Sequence, residues 1–316
     1  MTPPSQALSR LLAPARPALR AFRAQRPIRA GSLLITMFGD SVAPRGGEIA
    51  LASLIELCRP FGISERLVRT SIGRLAKDDW LEAARAGRNS FYRLTARGRN
   101  EFDVATQRIY SVSSTDWTGC WTLLLMFQLS AAERNALSES FRWRGFGQAM
   151  PGVLAYPGDR TKEVEDELAG SAAGARVICL RGSSGSPEAD RSLAQHAWDL
   201  AQLEQRYRRF VTLFRQIARG LEGQAIAPAA CFVIRTLLIH QYRRIHLRDP
   251  LLPATLLSST WPGAAASALC RQLYGAVFSG AERFLTMHGA NRSGPMPPAS
   301  PQTLRRFGGL VLPPPA

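Results

Sequence analysis

Apolar positions recur with a helical period in three successive segments near the N-terminus, residues 32–42, 48–59 and 64–77. Pro60 ends the second segment, and Gly62 supplies a tight turn before the third. Ser64 is a suitable N-cap for the third helix, since Ile63 and Val68 stand in the spacing of a hydrophobic staple. Two short extended runs, residues 80–85 and 90–95, then flank a turn. The pattern predicts three helices followed by a β-hairpin.

The third predicted helix has two chemically different faces when it is projected at about 100° per residue. One face is apolar, and the opposite face carries Arg66, Arg69, Thr70, Gly73, Arg74 and Lys77. A short helix with a basic outer face after a glycine turn is typical of the recognition helix of a helix-turn-helix. Together with the hairpin, the helix-turn-helix is predicted to form a winged-helix domain over residues 31–110. Arg85, Arg88 and Asn89 are at the tip of its wing, where they are expected to lie over DNA phosphates. Taken without the hairpin, the third helix has an alternative interpretation as a solvent-exposed basic surface helix that does not bind DNA.

The rest of the chain predicts two further domains. Short apolar runs and helical segments between residues 117 and 182 follow the order β-α-β-β-α-β, which is typical of a ferredoxin-like module. Residues 188–288 have a helical period, with one long helix predicted over residues 194–221 and another over residues 231–247. We therefore expect an α+β protein with a winged helix, a middle ferredoxin-like domain and a helical C-terminal domain.

The helix predicted over residues 231–247 has apolar residues at nearly every angle, so it is expected to be buried on all sides. Its polar residues Arg235, His240, Arg243 and Arg244 would be costly in such a place unless they meet anions. Two sources of negative charge remain open. One is an anionic ligand, and the other is a set of internal carboxylates, for which the candidates are Asp199, Glu204 and Asp249.

The charge of the chain points to a polyanionic partner. The net charge is +16, with +6 in residues 1–30, −4 in residues 101–200 and +7 in residues 201–290. Lys77 and Lys162 are the only lysines, so a skewed genomic base composition is an alternative source of the arginines. The basic residues 1–30 are expected to be a mobile extension, or alternatively a transit peptide, and the Pro-, Gly- and Ser-rich residues 289–316 a disordered tail.

Cysteine usage and hydropathy define the expected compartment and chemistry. The five cysteines are widely spaced and form no CxxC pair, which favours free thiols over disulfides or zinc ligands. No apolar stretch approaches the roughly 18 residues of a membrane span. We expect a cytoplasmic protein with no bound metal and no cofactor.

Several stretches together resemble the PaaX family of bacterial transcriptional repressors of phenylacetate degradation. They include Ser32–Ser41, Ile63–Ser71, the segments Tyr92–Thr95 and Pro151–Leu154, and Arg235–Arg244, followed by Arg248-Asp-Pro250 and Trp261-Pro-Gly263. The resemblance runs from about Gly31 to Phe284. It covers most of the chain and leaves out the basic N-terminal residues and the proline-rich tail.

The resemblance implies a homodimeric repressor that binds a double-stranded operator, has a middle domain similar to CRISPR-associated nuclease subunits, and responds to phenylacetyl-CoA or a related acyl-CoA. On this basis the candidate effector residues are the basic group on the buried helix and nearby aromatic residues. The set is Arg235, His240, Arg243, Arg244, Tyr242, Tyr207 and Trp261, with Phe210 as a further aromatic candidate.

Two other functions compete with this interpretation. A metal-dependent nuclease would need carboxylates at the end of the first middle-domain strand, yet Phe127 is followed by Gln128, Leu129 and Ser130. No HExxH pair or GxSxG elbow is present, so we expect no catalytic residues. A winged helix that binds protein instead of DNA is the weaker alternative, because its outer face is basic.

Overall fold

The computed structural model of the chain describes residues 10–87, 89–111, 117–169 and 174–310. The helices are α1 (Arg16–Arg23), α2 (Ala30–Met37), α3 (Leu51–Cys58), α4 (Glu65–Lys77), α5 (Ala96–Tyr110), α6 (Ala131–Trp143), α7 (Thr161–Leu168), α8 (Pro187–Ala197), α9 (Leu200–Leu221), α10 (Pro228–His246) and α11 (Gly263–His288). The strands are β1 (Glu48–Ala50), β2 (Leu81–Ala86), β3 (Asn89–Leu94), β4 (Trp121–Met126), β5 (Gly147–Met150), β6 (Val153–Pro157), β7 (Val177–Gly182), β8 (Ala290–Asn291) and β9 (Gly294–Pro295). The α+β class predicted from the sequence is confirmed.

The chain forms two compact units. The first contains residues 1–112, 207–247 and 263–316, and the second contains residues 113–206 and 248–262. The C-terminal helices α10 and α11 therefore share a unit with the N-terminal elements, whereas the sequence boundaries placed residues 188–288 in a domain of their own. The physical reason is that α10 is apolar on all sides and packs against α11, α2 and α1 together.

In the first unit, a small antiparallel sheet packs against helices α3 and α4. The strand order is β1-β3-β2, with Ile49 opposite Tyr92 and Leu81 opposite Leu94. Strand β1 takes the first three residues of the predicted second helix because they pair with β3. Helix α2 passes into a π-helical turn at Phe38–Val42, so the predicted first helix is helical but irregular.

Residues 16–23 differ from the expected mobile extension, since they form helix α1 with a buried face. Ala15, Ala18, Leu19 and Phe22 are buried, and the Phe22 ring makes edge-to-face contacts with Phe61 at 6.2 Å and His240 at 5.8 Å between centroids. These four residues have the i, i+3, i+4, i+7 spacing of an apolar helix face. The helix is held in place by burial of that face, and its arginines point outward. Residues 1–9 lie outside the described part of the chain.

The expected disordered tail is ordered over residues 289–310. Strands β8 and β9 form a hairpin, the Ala290 N–H donates to Ser53 Oγ at 3.0 Å, and Arg292 pairs with Glu48. A 3₁₀ turn at Pro301–Gly308 buries Arg306 and Phe307, whose ring lies 5.1 Å from that of Tyr110. Burial of an aromatic ring and a compensated charge explains the order, which proline and glycine content alone did not predict. Residues 311–316 are outside the described residues.

The second unit is built on an antiparallel sheet of strand order β5-β6-β4-β7. One sheet face packs on α6 and α7 through Leu124, Phe141, Phe146, Leu154 and Val164. On the other face, Trp121 and Ala155 pack with Ala194, Leu252 and Leu256. The elements β4 to β7 follow the expected order β-α-β-β-α-β.

The single helix predicted over residues 194–221 is wrong, because α8 ends at Ala197 and α9 begins at Leu200. The Asp199 carboxylate accepts a hydrogen bond from the Gln202 N–H at 3.0 Å, which caps the new helix. The Trp198 side chain lies over Gly147, where an added Cβ would be 2.5 Å from the indole ring. A capped restart and a packed tryptophan explain the break.

Candidate functional site

Helix α4 is positioned by the turn that precedes it. Gly62 adopts a left-handed backbone with φ 77°, which glycine accommodates without strain. Ser64 Oγ accepts a hydrogen bond from the Leu67 N–H at 3.3 Å, so the predicted N-cap is present. Val68, Ser71, Ile72 and Leu75 are buried against the unit. The direction of α4 is thus fixed by a glycine turn, a cap and an apolar face.

The opposite face of α4 is exposed, as the projection predicted. Its residues are Arg66, Arg69, Thr70, Gly73, Arg74 and Lys77. Arg69 is the one whose charge is locally compensated, by hydrogen bonds to Glu65 at 2.7 and 2.9 Å on the same helix. The Thr70 hydroxyl donates to the Arg66 carbonyl oxygen at 2.9 Å. Within the described part of the chain, Arg66, Arg74 and Lys77 form no ion pair, so they present positive charge to solvent.

The hairpin tip adds to this exposed basic surface. Arg85 and Asn89 are exposed on either side of the turn, in register across β2 and β3 with Ser90 and Ala86 respectively. Arg88, the third residue predicted for the wing tip, lies outside the described residues. On the same hairpin, Arg93 pairs with Glu82 through a 2.8 Å contact between Nε and Oε1. The tip itself is therefore the basic part of the hairpin.

Helix α1 brings further arginines to the turn before α4. The Arg23 guanidinium donates to the Pro60 carbonyl at 2.9 Å and to the Phe61 carbonyl at 3.2 Å. Arg20 and Arg26 are exposed beside it, and the chain has no acidic residue before Asp40. This basic surface was not assigned a position from the sequence, although the apolar spacing of α1 indicates a docked helix.

Among the predicted effector residues, Arg235 is fully buried within a network of charges. Its Nε donates to Asp40 Oδ2 at 2.8 Å, its Nη2 to the Asp40 carbonyl at 2.9 Å, and its Nη1 to Glu282 Oε1 at 2.6 Å. Arg306 from the C-terminal segment donates to Asp40 Oδ1 at 2.8 Å, and Arg45 pairs with Glu282. Of the two alternatives for Arg235, the internal carboxylates are the ones observed. They are Asp40 and Glu282, and not the candidates Asp199, Glu204 and Asp249.

The network keeps its groups ionised. Burial alone would raise the pKa of Asp40, but Arg235, Arg306 and the hydroxyls of Tyr110 and Tyr274 hold that pKa below its usual value. Burial would lower the pKa of Arg235, and its carboxylate partners raise it instead. The charge of Arg235 is thus balanced by internal carboxylates, and the effector role of this side chain stays a prediction.

His240 is also a core residue. It is fully buried, and its Nδ1 lies 3.1 Å from Thr36 Oγ1. Burial, together with the nearby charges of Arg243 and Arg244, lowers the pKa of His240 to about 3, so the ring is neutral at neutral pH. The neutral imidazole packs against the Phe22 ring, and the effector role of His240 stays a prediction.

Most of the aromatic residues predicted to contact the effector are buried and pack against one another. Tyr207 and Tyr242 are buried. The Tyr242 ring stacks on the His246 ring with 4.8 Å between centroids, and the Phe210 ring centroid lies 5.7 Å from that of Tyr242. The Tyr207 hydroxyl and His246 Nδ1 are 3.2 Å apart. Trp261 belongs to the second unit and is half-buried, and Arg244 is half-buried on α10. Tyr207, Phe210 and Tyr242 therefore belong to the buried core of the first unit, and their role in effector binding stays a prediction.

Arg243 is half-buried and differs from the buried basic residues of α10. Its Nε donates to Thr36 Oγ1 at 2.8 Å, and its Nη2 donates to the Ser32 carbonyl at 2.6 Å and to Ser32 Oγ at 2.9 Å. All of these acceptors are neutral, and among the described residues no carboxylate pairs with this guanidinium. Burial and then the charge of Arg244 lower the pKa of Arg243 to about 10, so it remains protonated at neutral pH.

Arg243 lies in the wall of a pocket of about 170 Å³ formed within the first unit. The walls come from α2, α5 and α10, together with Trp80 at the start of the hairpin. They are mostly apolar, with Ile35, Phe102, Ile109 and Ile239 among the contributors. Sequence reasoning singled out Arg243 but missed the pocket, because its other walls come from segments more than 100 residues away in the chain.

The described residues offer little for metal or covalent chemistry. No group of three or more His, Cys, Asp or Glu side chains among them is arranged to hold a metal ion. The five cysteines are free, and burial raises the pKa of the Cys58 thiol to about 12. In the part of the chain that the structure describes, no helix is both long and apolar enough to cross a membrane.

Three family models match successive parts of the chain. They are the PaaX-like protein at residues 29–98, the PaaX protein central Cas2-like domain at residues 114–194, and the PaaX-like protein C-terminal domain at residues 198–287. The likeness of the middle domain to a CRISPR-associated protein is thereby confirmed at the level of the Cas2-like family. The basic N-terminal helix and the C-terminal segment lie outside these matches.

Individual proteins are also similar to the chain. The transcriptional repressor PaaX of Escherichia coli (strain K12) is 35% identical over 291 residues, which are 90% of this chain and 92% of that protein. A solved structure, the uncharacterized protein Rv0674 from Mycobacterium tuberculosis, has 26% sequence identity and a TM-score of 0.49, and the match covers 73% of this chain and 88% of that one. The prediction of a regulator and not an enzyme is confirmed by the repressor relative. The chain belongs to the PaaX family.

Proposed function

We propose that the chain is a transcriptional repressor that binds duplex operator DNA through the exposed face of α4 and the tip of the β2–β3 hairpin. The observation that carries this proposal is the exposed row of Arg66, Arg74 and Lys77, which no carboxylate of the described chain neutralises. A helix of this kind enters the major groove, where arginine and threonine reach base edges. Arg85 and Asn89 at the hairpin tip then contact the phosphate backbone.

The arginines of α1 extend the same surface. Helix α1 contacts the turn before α4 through Arg23. Arg20 on the helix and Arg26 just after it are exposed, and no acidic residue precedes Asp40 in the sequence. Such residues contact phosphates and contribute to affinity without reading sequence. Arg20 and Arg26 thus add to the electrostatic part of binding.

Repression is released, in this proposal, by phenylacetyl-CoA or a related acyl-CoA. The support is the family resemblance and the strongly basic C-terminal region, where residues 201–290 carry a net +7. The proposed repressor is a homodimer, in which two copies of α4 lie roughly 34–36 Å apart, about one turn of the DNA helix. The genes it controls are proposed to be those of phenylacetate catabolism.

A binding titration tests this function. The full-length protein is titrated against fluorescent DNA from the region upstream of its own gene and of neighbouring catabolic genes, with a scrambled duplex of equal length as the control. We expect specific binding at least 10³-fold tighter than binding to the scrambled duplex, with affinity that falls steeply with salt, and loss of the complex on addition of phenylacetyl-CoA. Equal affinity for both duplexes at every salt concentration would contradict the proposal.

A further inference from the structure

The turn that joins α3 to α4 is held on its apolar side by two aromatic rings. It runs through a 3₁₀ turn at Arg59–Phe61 to Gly62, and Phe61 is fully buried. The Phe61 ring makes edge-to-face contacts with Phe22 of α1 at 6.2 Å and with Phe232 of α10 at 5.9 Å between centroids. The side chain of the turn is therefore packed between α1 and α10.

Arg23 of α1 holds the polar side of the same turn. Its Nη2 donates to the Pro60 carbonyl at 2.9 Å, and its Nε donates to the Phe61 carbonyl at 3.2 Å. These carbonyls lie at the end of a helical segment, where the helix supplies no further N–H and an arginine side chain can take its place. A Cβ on Gly62 would lie 3.1 Å from Arg23 Nε, so the guanidinium lies directly over the turn.

The two hydrogen bonds use the shape of the Arg23 guanidinium as well as its charge. Two nitrogens of one rigid, planar group donate to two different carbonyls. A lysine ammonium at this position would carry the same charge, but it is a single point on a flexible stem and lacks donors in a fixed plane. Since Arg23 is an exposed residue, the alternative use of its charge is contact with a DNA phosphate.

The direction of α4 depends on the turn that Arg23 contacts. Helix α4 has 13 residues and begins at Glu65, shortly after Gly62. A tilt of about 5° displaces the far end of a helix roughly 20 Å long by about 2 Å. Hydrogen bonds to base edges are lost over a smaller displacement, whereas attraction to phosphates decreases gradually with distance. A looser turn would therefore weaken specific binding more than non-specific binding.

We propose that Arg23 is a positioning residue for α4. Through its hydrogen bonds to the carbonyls of Pro60 and Phe61, it fixes the direction in which α4 leaves the turn and so sets the discrimination between operator and other DNA. The proposal rests on the proposed repressor function. It gives α1, which precedes the first family match at residue 29, a role distinct from the phosphate contacts proposed for Arg20 and Arg26.

Two substitutions that conserve charge test this role, Arg23→Lys and the matched control Arg20→Lys. Arg20 is exposed on the same helix, roughly one turn before Arg23. Each full-length protein is titrated with the upstream duplex and with the scrambled duplex at two salt concentrations. Hydrogen–deuterium exchange of the free protein measures opening of the turn in a peptide that covers residues 59–67. Thermal unfolding shows whether each protein is folded.

We expect Arg23→Lys to bind the operator about 5- to 10-fold more weakly than the unaltered protein, because one of the two charged hydrogen bonds is lost. Its affinity for the scrambled duplex should stay within about twofold and its salt dependence should not change, since the charge is conserved. Amides of the turn should exchange faster. Arg20→Lys should match the unaltered protein in every measurement, because lysine also contacts phosphates.

Three results would overturn the proposal and leave the proposed function standing. The first is equal operator affinity in Arg23→Lys and Arg20→Lys. The second is a loss in Arg23→Lys of the same size for operator and scrambled duplex, which would make Arg23 a phosphate contact. The third is unchanged exchange of the turn amides in Arg23→Lys.

Failure of the unaltered protein to bind operator DNA would instead refute the proposed function. The exchange comparison does not involve DNA, so it would still show whether Arg23 holds the turn.

Discussion

Helices α4 and α10 both carry several arginines at helical spacing, yet the two sets have opposite surroundings. On α4 the arginines lie on an exposed face, and Arg66 and Arg74 have no carboxylate partner among the described residues. On α10, Arg235 is fully buried between Asp40 and Glu282, which come from distant parts of the chain. The comparison shows that an arginine row indicates an anionic partner only when the opposite face of its helix, and not the whole helix, is apolar.

The largest difference between the two helices concerns folding stability. Asp40→Asn leaves Arg235 and Arg306 buried with less compensating charge, so we expect the free energy of unfolding to fall by about 3–5 kcal/mol. Denaturant unfolding monitored by circular dichroism measures this change. A loss below about 1 kcal/mol would mean that the buried network contributes little to the stability of the fold.

A second difference appears as a dependence on pH. The pKa of His240 is near 3 in the folded protein against 6.5 for an ordinary histidine, so the unfolded chain takes up its proton first as the pH falls. Stability from this residue is complete above pH 6.5 and decreases by up to about 1.4 kcal/mol per pH unit between 6.5 and about 3. Unfolding measured at pH 7 and pH 5 should show a steeper loss for the unaltered protein than for His240→Gln. Equal slopes would contradict a buried, neutral His240.

Arg20 of α1 and Arg26 just after this helix should affect DNA binding and not folding. In Arg20→Gln/Arg26→Gln, each lost phosphate contact reduces the slope of log affinity against log salt by about one unit. The melting temperature should stay within 1–2 °C, roughly the effect of a surface substitution. Fluorescence anisotropy at four salt concentrations measures the slope. A slope identical to that of the unaltered protein would place α1 away from the DNA.

The smallest expected effect belongs to the exposed ion pair on α4. Glu65 and Arg69 are both more than half exposed, so Glu65→Gln should change the free energy of unfolding by no more than about 0.5 kcal/mol. Removal of a negative charge from this face should leave operator affinity unchanged or raise it slightly. The same denaturant titration used for Asp40→Asn provides the measurement, and a loss as large as in that variant would erase the contrast between the two helices.

Local signals were sufficient to predict much of the first unit. Helix α5 begins at Ala96 directly after Thr95, a residue type favoured at N-caps, whose hydroxyl accepts a hydrogen bond from the Gly98 N–H at 2.9 Å. The N-cap of α4, the helical period of its apolar residues and the hairpin turn are also signals carried by residues that are close together in the sequence. The proposed DNA surface depends on these elements, and so its residues could be chosen from the sequence.

The errors arose where structure depends on distant partners or on a signal that was given too little weight. Arg235 meets Asp40 across 195 residues of sequence, and no spacing rule connects them. The docked helix α1 had a readable signal in Ala15, Ala18, Leu19 and Phe22, but its prolines and arginines suggested mobility. Asp199 likewise had the chemistry of an N-cap in the middle of the predicted long helix. The pocket beside Arg243 needs three helices to be brought together and has no sequence signature.

The most direct measurement of the central claim is operator affinity for proteins altered on the exposed face of α4. Arg66→Ala and Arg74→Ala are each compared with Arg191→Ala, whose exposed guanidinium pairs with Glu188 in the second unit. The account predicts a loss of about 1–3 kcal/mol in operator binding for at least one α4 variant, no loss for the control, and unchanged unfolding of all three. Operator affinity equal to that of the control in both α4 variants would contradict it.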